Sequence, residues 1–106
     1  MAIINVANLK PEFFNAFLNG TKDHEYRERK RINSTLEKIT PGETVLMLEI
    51  GSNRAFTAII SFTLRYHCQS NDTYVYGFTL IDIKLIRLKN TIRKIQGWQR
   101  RSTYYL

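Results

Sequence analysis

The chain has 106 residues, 43% hydrophobic and 24% charged, enough for one globular domain and too few for a second with its own core. No apolar run can span a membrane, Met1-Ala2-Ile3-Ile4-Asn5 does not read as a cationic secretory leader, and Cys68, the one cysteine, has no intramolecular disulfide partner, which points to a reducing, cytoplasmic setting. Lys and Arg outnumber Asp and Glu by 16 to 9, a net charge of +7, with no acidic residue after Asp82 to offset Lys84, Arg87, Lys89, Arg93, Lys94, Arg100 and Arg101.

Ile3-Ile4-Asn5-Val6 is compatible with a first strand. Pro11 suits the first turn of a helix, where its missing N–H costs nothing, and Phe13, Phe14, Phe17 and Leu18 fall on one face of a helix over about 11–19. Asn19-Gly20 ends it. From Thr21 to Lys38 the density of charge predicts an exposed strand running into a loop. Thr40-Pro41-Gly42-Glu43 is a turn, Val45 to Ile50 a buried strand, and Gly51-Ser52-Asn53 a hairpin connection.

Phe56, Ala58, Ile60, Phe62 and Leu64 then alternate with Thr57, Ile59, Ser61, Thr63 and Arg65, the clearest period-two pattern in the chain. Residues 67–73 are polar and predict a loop. Tyr74 to Leu88 is a long strand whose phase changes: Tyr76, Phe78 and Leu80 share one face, after which Ile81, Ile83 and Leu85 form the apolar set. A bulge, or a strand covered on both sides, explains such a switch. Thr91 to Leu106 fits a short strand or an irregular wrap. One helix with five or six hairpin-connected strands predicts a mainly β, α+β domain, a small closed or nearly closed barrel with the helix over an opening.

The stretch Gly20-Thr21-Lys22-Asp23-His24-Glu25-Tyr26-Arg27 carries the chemistry. If Lys22 to Arg29 is extended, Glu25, Arg27 and Arg29 share one face and Lys22, His24, Tyr26 and Glu28 the other. A carboxylate and a guanidinium two residues apart orient each other and read a planar polar ligand, the first accepting from an amine or ring N–H and the second donating to carbonyl or phosphate oxygens. The plainer alternative is a solvated strand with incidental ion pairs. The basic segment from about 84 to 106 suits a polyanion, RNA or another nucleic acid. Trp98, Tyr104 and Tyr105 lie among its cations and Tyr74 and Tyr76 precede it; such rings stack on bases or pack a barrel end, packing being the reading for Tyr76 and Phe78, while Trp98, beside Gln99-Arg100-Arg101, is the best stacking candidate.

The order of a helix, G-x-K-x-x-E-x-R, a P-G-[DE] turn into an apolar strand, and an aromatic-led strand (Phe78-Thr79-Leu80-Ile81-Asp82-Ile83) resembles the ASCH domain family of the PUA-like superfamily, over about Lys10 to Trp98. Gly97-Trp98 is similar to the ending of many members. The resemblance implies one PUA-like pseudo-barrel over 1–106, with a cleft lined by Lys22, Glu25 and Arg27. It further implies binding of RNA or modified nucleobases, with amidohydrolysis of N4-acetylcytidine in one branch and ribonuclease activity in another. The amidohydrolase branch has a threonine where this chain has Glu25, which cannot replace a hydroxyl in acyl transfer.

The expected function is an RNA or modified-nucleobase binding module, with Lys22, Glu25, Arg27, Arg29, Arg93, Lys94, Trp98, Arg100 and Arg101 as the nucleic-acid-binding set. The alternative is a small RNA-processing enzyme, ribonuclease or nucleoside amidohydrolase, using the same cleft with Lys22 and Glu25 as catalytic residues. Adjacent His24 and Glu25 point to opposite faces of a strand and do not easily share a substrate. His67 is a further candidate for a second catalytic group. His67, Cys68 and Asp72 lack metal-ligand spacing, and no Walker loop, dinucleotide fingerprint or serine elbow is present, so no metal, cofactor or membrane partner is expected.

Overall fold

The computed structural model describes residues 4–88 and 98–101, the last three by main chain alone. β1 (Ile4–Leu9) leads into α1 (Pro11–Leu18), followed by β2 (His24–Arg29), the single turn α2 (Ser34–Glu37), β3 (Thr44–Glu49), β4 (Arg54–Cys68), β5 (Thr73–Arg87) and β6 (Gln99–Arg101). The strands form one sheet in the order β2-β5-β4-β3-β1-β6. β1 and β3 pair in parallel and the other neighbours antiparallel.

Hydrophobic burial explains the layers. α1 turns Phe14 and Phe17 onto Phe56 of β4, with ring centroids 5.3 and 5.4 Å apart, and Gly20 takes a left-handed φ of +82° to release the chain toward β2. Under the helix lie Ala7, Leu9, Val45, Met47, Ile60, Phe78 and Leu80. The expected first strand extends to Leu9 and is buried throughout, because its other face meets a second cluster of Ile4, Val6, Leu46, Leu48, Ala55 and Leu88.

The sheet rolls up. β2 lies at the opposite end of the strand order from β1 and β6, yet Arg27 of β2 bonds the Asn8 carbonyl of β1 at 2.9 Å. Phe78 of β5 meets Trp98, just before β6, at 5.0 Å. This is the nearly closed barrel expected, its seam bridged by side chains.

Two departures follow from long-range structure. The polar stretch before β3 contains α2, whose Asn33 side chain accepts from the Leu36 N–H at 3.0 Å and whose Leu36 is buried. The alternation of β4 also breaks. Phe56, Ala58 and Ile60 are buried as expected, but Phe62 and Leu64 are 58% and 38% exposed. An extra residue, Ser61, separates Ile60, opposite Leu80, from Phe62, opposite Thr79. It reverses the faces of everything beyond. On β5 the expected phase switch is a bulge around Asp82, which adopts a left-handed φ of +56°. Past Leu80, Ile83 packs partly on the core while Ile81 and Leu85 are about half exposed, at 46% and 49%.

Candidate functional site

The seam between β1 and β2 holds a cleft of about 420 Å³, walled by Asn8, Leu9, Lys10, Phe13 and Ile50 on one side and Glu25, Tyr26, Arg27 and Arg29 on the other. Its size is that of a small-ligand site. Glu25 is 9% exposed. Its two oxygens meet different cations, Lys22 Nζ at 3.8 Å from Oε1 and an Arg27 terminal nitrogen at 3.5 Å from Oε2. Both separations are longer than a strong charged hydrogen bond, so the carboxylate keeps acceptor capacity.

Lys22 differs from its expected placement opposite Glu25. β2 begins only at His24, and the Thr21 and Lys22 N–H groups both donate to the Ala16 carbonyl at 3.0 and 3.1 Å, wrapping the chain around the end of α1. Strand alternation therefore does not reach Lys22. Its ammonium lies over the rings of Phe13 and Phe17 at 5.1 and 5.6 Å, behind Glu25 and outside the cleft wall.

Arg27 is the pivot. It ties β2 to β1 through Asn8 and its guanidinium sits 5.9 Å from the Trp98 ring. Burial lowers its pKa from the ordinary arginine value, and the Glu25 charge opposes that shift. Its Nε is buried without a hydrogen-bond acceptor, as is Trp98 Nε1. Arg29 also lines the cleft and donates to the Glu28 carbonyl at 2.8 Å.

Trp98 is only 6% exposed and belongs to the main core, so the expected free stacking ring is instead the floor beneath Arg27. Arg100 and Arg101 pair with Asn5 and Ile4 through the main chain; their side chains, and the whole of Arg93, Lys94, Tyr104 and Tyr105, lie outside the described residues. Tyr76 is core, as expected, at 1% exposure, its hydroxyl accepting from the Asn33 N–H at 3.0 Å and donating to Glu37 at 2.9 Å.

The histidines do not join the cleft wall. His24 is on the outer face, its Nδ1 2.9 Å from Asp23 and its ring edge-on to Tyr26 at 5.0 Å. His67, expected in a loop, is instead near the end of β4, bonded to Asp72 at 2.7 Å and 4.7 Å from the Tyr74 ring. It lines a separate hollow of about 200 Å³ with Arg65. The Cys68 thiol, 3.2 Å from the Ser70 hydroxyl, is held below its ordinary pKa by that bond. No cluster of three or more metal-ligating side chains occurs among the described residues, and none of their helices is long and apolar enough to cross a membrane.

Sequence reasoning missed the β1 wall. Asn8, a polar residue in a largely apolar strand, was its signal.

The sequence matches no protein-family model and no curated protein. The structure is similar to the crystal structure of a mutant ZmASCH protein from Zymomonas mobilis, with a TM-score of 0.65 and 15% sequence identity over 91% of this chain and 86% of that one. At that identity the likeness is one of architecture. The chain thus has the fold of an ASCH protein, a small, mainly β, α+β pseudo-barrel with an N-terminal covering helix.

Proposed function

We propose that this chain is a binding module for RNA or a modified nucleobase, with the ligand in the cleft beside β2. The observation that carries the reading is the convergence of Lys22, Glu25 and Arg27 at the barrel seam, with Glu25 shared between two cations at 3.8 and 3.5 Å. In this reading Glu25 accepts from an exocyclic amine or ring N–H of the base. Arg27, which lines the cleft, donates from its guanidinium to a ring carbonyl. Lys22 faces Glu25 from outside the cleft wall, and Arg29 extends the cation row toward the adjoining phosphate. The unbalanced positive charge after Asp82, including Arg93, Lys94, Arg100 and Arg101, meets the backbone of the strand from which the base is drawn.

The test is a titration of short fluorescent RNAs and free nucleosides, including acetylated ones, against wild type, Glu25→Gln and Arg27→Lys. Saturable binding that both substitutions weaken at least about tenfold, with folding intact, supports the module. Equal affinity in all three proteins refutes the cleft. Turnover of the same ligands, abolished by Lys22→Ala and Glu25→Ala, would replace the binding module with an enzyme.

A further inference from the structure

The reversal of faces beyond Ser61 leaves an outer surface on β4 that shares only Tyr26 with the ligand cleft. Phe62, Leu64 and Tyr66 stand on the outside of β4 at 58%, 38% and 50% exposure, and Tyr26 joins them from β2 at 53%. Gly77 lies between: a β-carbon there would come within 2.8 Å of the Tyr26 ring and 3.5 Å of Leu64, so its missing side chain lets the Tyr26 ring lie down beside Leu64. Three half-exposed aromatics and a leucine present on the order of 300–400 Å² of apolar area, enough to mark an interaction surface.

Among the described residues, this patch borders an unpaired strand edge. β3 pairs with β4 only as far as Ile59, and Ile60 bonds the Gly42–Glu43 turn through both its N–H and its carbonyl. Among the described residues, no main-chain bond reaches the outer edge of Ser61–Cys68. The Leu80 N–H points to Asp23 on the β2 side, so Thr79, its neighbour, faces β4. Phe62, opposite Thr79, therefore turns its backbone groups inward to β5. By alternation Leu64 and Tyr66 do the same, while Thr63, Arg65 and His67 offer theirs outward. A long, apolar-faced edge of this kind is a template for another strand.

We propose that a second copy of this chain occupies the edge, β4 pairing antiparallel with its own counterpart about a two-fold axis at Leu64. The segment is self-complementary in that register. Leu64 meets Leu64 as a non-hydrogen-bonded pair, Phe62 meets Tyr66 and the reverse, Thr63 meets Arg65, and His67 meets Ser61, so no like charges lie directly opposite. Phe62, Leu64 and Tyr66 also carry no charge, so the +7 on each copy opposes association only at longer range. The surface suits an uncharged protein face better than a polyanion. It leaves the β1–β2 seam open, so the dimer stands apart from the ligand proposal.

Sedimentation equilibrium of the full chain tests this. The expected result is a mass that rises with concentration toward twice the 12.5 kDa of one chain, more readily at high salt, which screens the net charge. Leu64→Lys, at a side chain exposed enough to leave the fold intact by circular dichroism, places two ammonium groups together on the axis and should weaken dimerisation at least about tenfold. Phe62→Lys with Tyr66→Glu places opposite charges across the pair and should keep the dimer. In a Cys68→Ser background, Leu64→Cys should cross-link to a dimer under a mild copper oxidant, since non-hydrogen-bonded partners approach to about 4.5 Å between α-carbons. A wild type monomeric at every concentration overturns the proposal, as does a dimer indifferent to Leu64→Lys or one in which Leu64→Cys fails to cross-link.

Discussion

Arg27 donates to the Asn8 carbonyl at 2.9 Å, joining two strands, β2 and β1, that share no ladder in the six-stranded sheet. One side chain thus closes the barrel seam and forms part of the cleft wall. Arg27→Ala should lower both stability and affinity. It strips Asn8 of that donor and Glu25 of one cation, a loss of about 1–3 kcal/mol. Arg27→Lys should recover much of the stability and little of the binding, because an ammonium has no planar fork. Urea titrations beside ligand titrations check the split, and affinity recovered in step with stability would contradict it.

Tyr76 organises α2 from a distance. Tyr76→Phe removes the acceptor of the Asn33 N–H and the donor to Glu37. The expected cost is about 1–3 kcal/mol, seen as a lower urea midpoint, with ligand affinity unchanged because Tyr76 does not line the cleft. An unchanged midpoint would remove the hydroxyl from the account of this turn.

Glu49 accepts from Arg54 at 2.9 and 2.6 Å and from Ser52 at 2.6 Å. The Arg54 bonds hold its carboxyl below the ordinary 4.5, against burial, which pushes it upward. Since the folded value is the lower one, the pair's stabilisation is complete above the unfolded value. It fades as pH falls from there through the folded value. Wild type should therefore lose more stability than Glu49→Gln between neutral pH and about pH 3. Equal losses in parallel denaturation curves would refute this.

The salt dependence of RNA binding should reflect the C-terminal cations. Deleting residues 93–106 is the wrong probe, because it would remove Trp98 from the core. Replacing Arg93, Lys94, Arg100 and Arg101 by glutamine keeps Trp98. It should flatten the slope of log affinity against log salt by about 0.7 for each phosphate of a single strand that is no longer neutralised. A slope identical to wild type would mean that those four residues touch no phosphate.

The sequence revealed what short-range chemistry dictates. α1 is legible because Pro11, the phenylalanine spacing and Gly20 all favour one helix, and β3 because Val45 to Leu48 has no polar break. α2 is not, since its cap depends on Asn33 and its entry on the Tyr76 hydroxyl, remote in sequence. Alternation puts Phe62 and Leu64 inside because an extra residue in a strand has no signature of its own when that residue is a serine. At the site, the same period of two brings Glu25 and Arg27 together, but it stops short of Lys22, where the chain is still leaving the helix. The Asn8 carbonyl is invisible, as every residue has one. Trp98 reads as free beside its arginines because only the rolled sheet brings Phe78 and Arg27 against it.

The irregularities at Ser61 and around Asp82 cancel. Between them the β4–β5 pairing is offset by one residue, and outside them Phe56 opposite Leu85 and Leu64 opposite Gly77 obey the same offset. Removing either extra residue alone would shear the long hairpin by a step and turn half of it inside out. Removing both would restore a straight ladder that no longer bends around the barrel. The outer register of the hairpin therefore depends on both extra residues at once, one on each strand, although they lie about twenty positions apart in the chain.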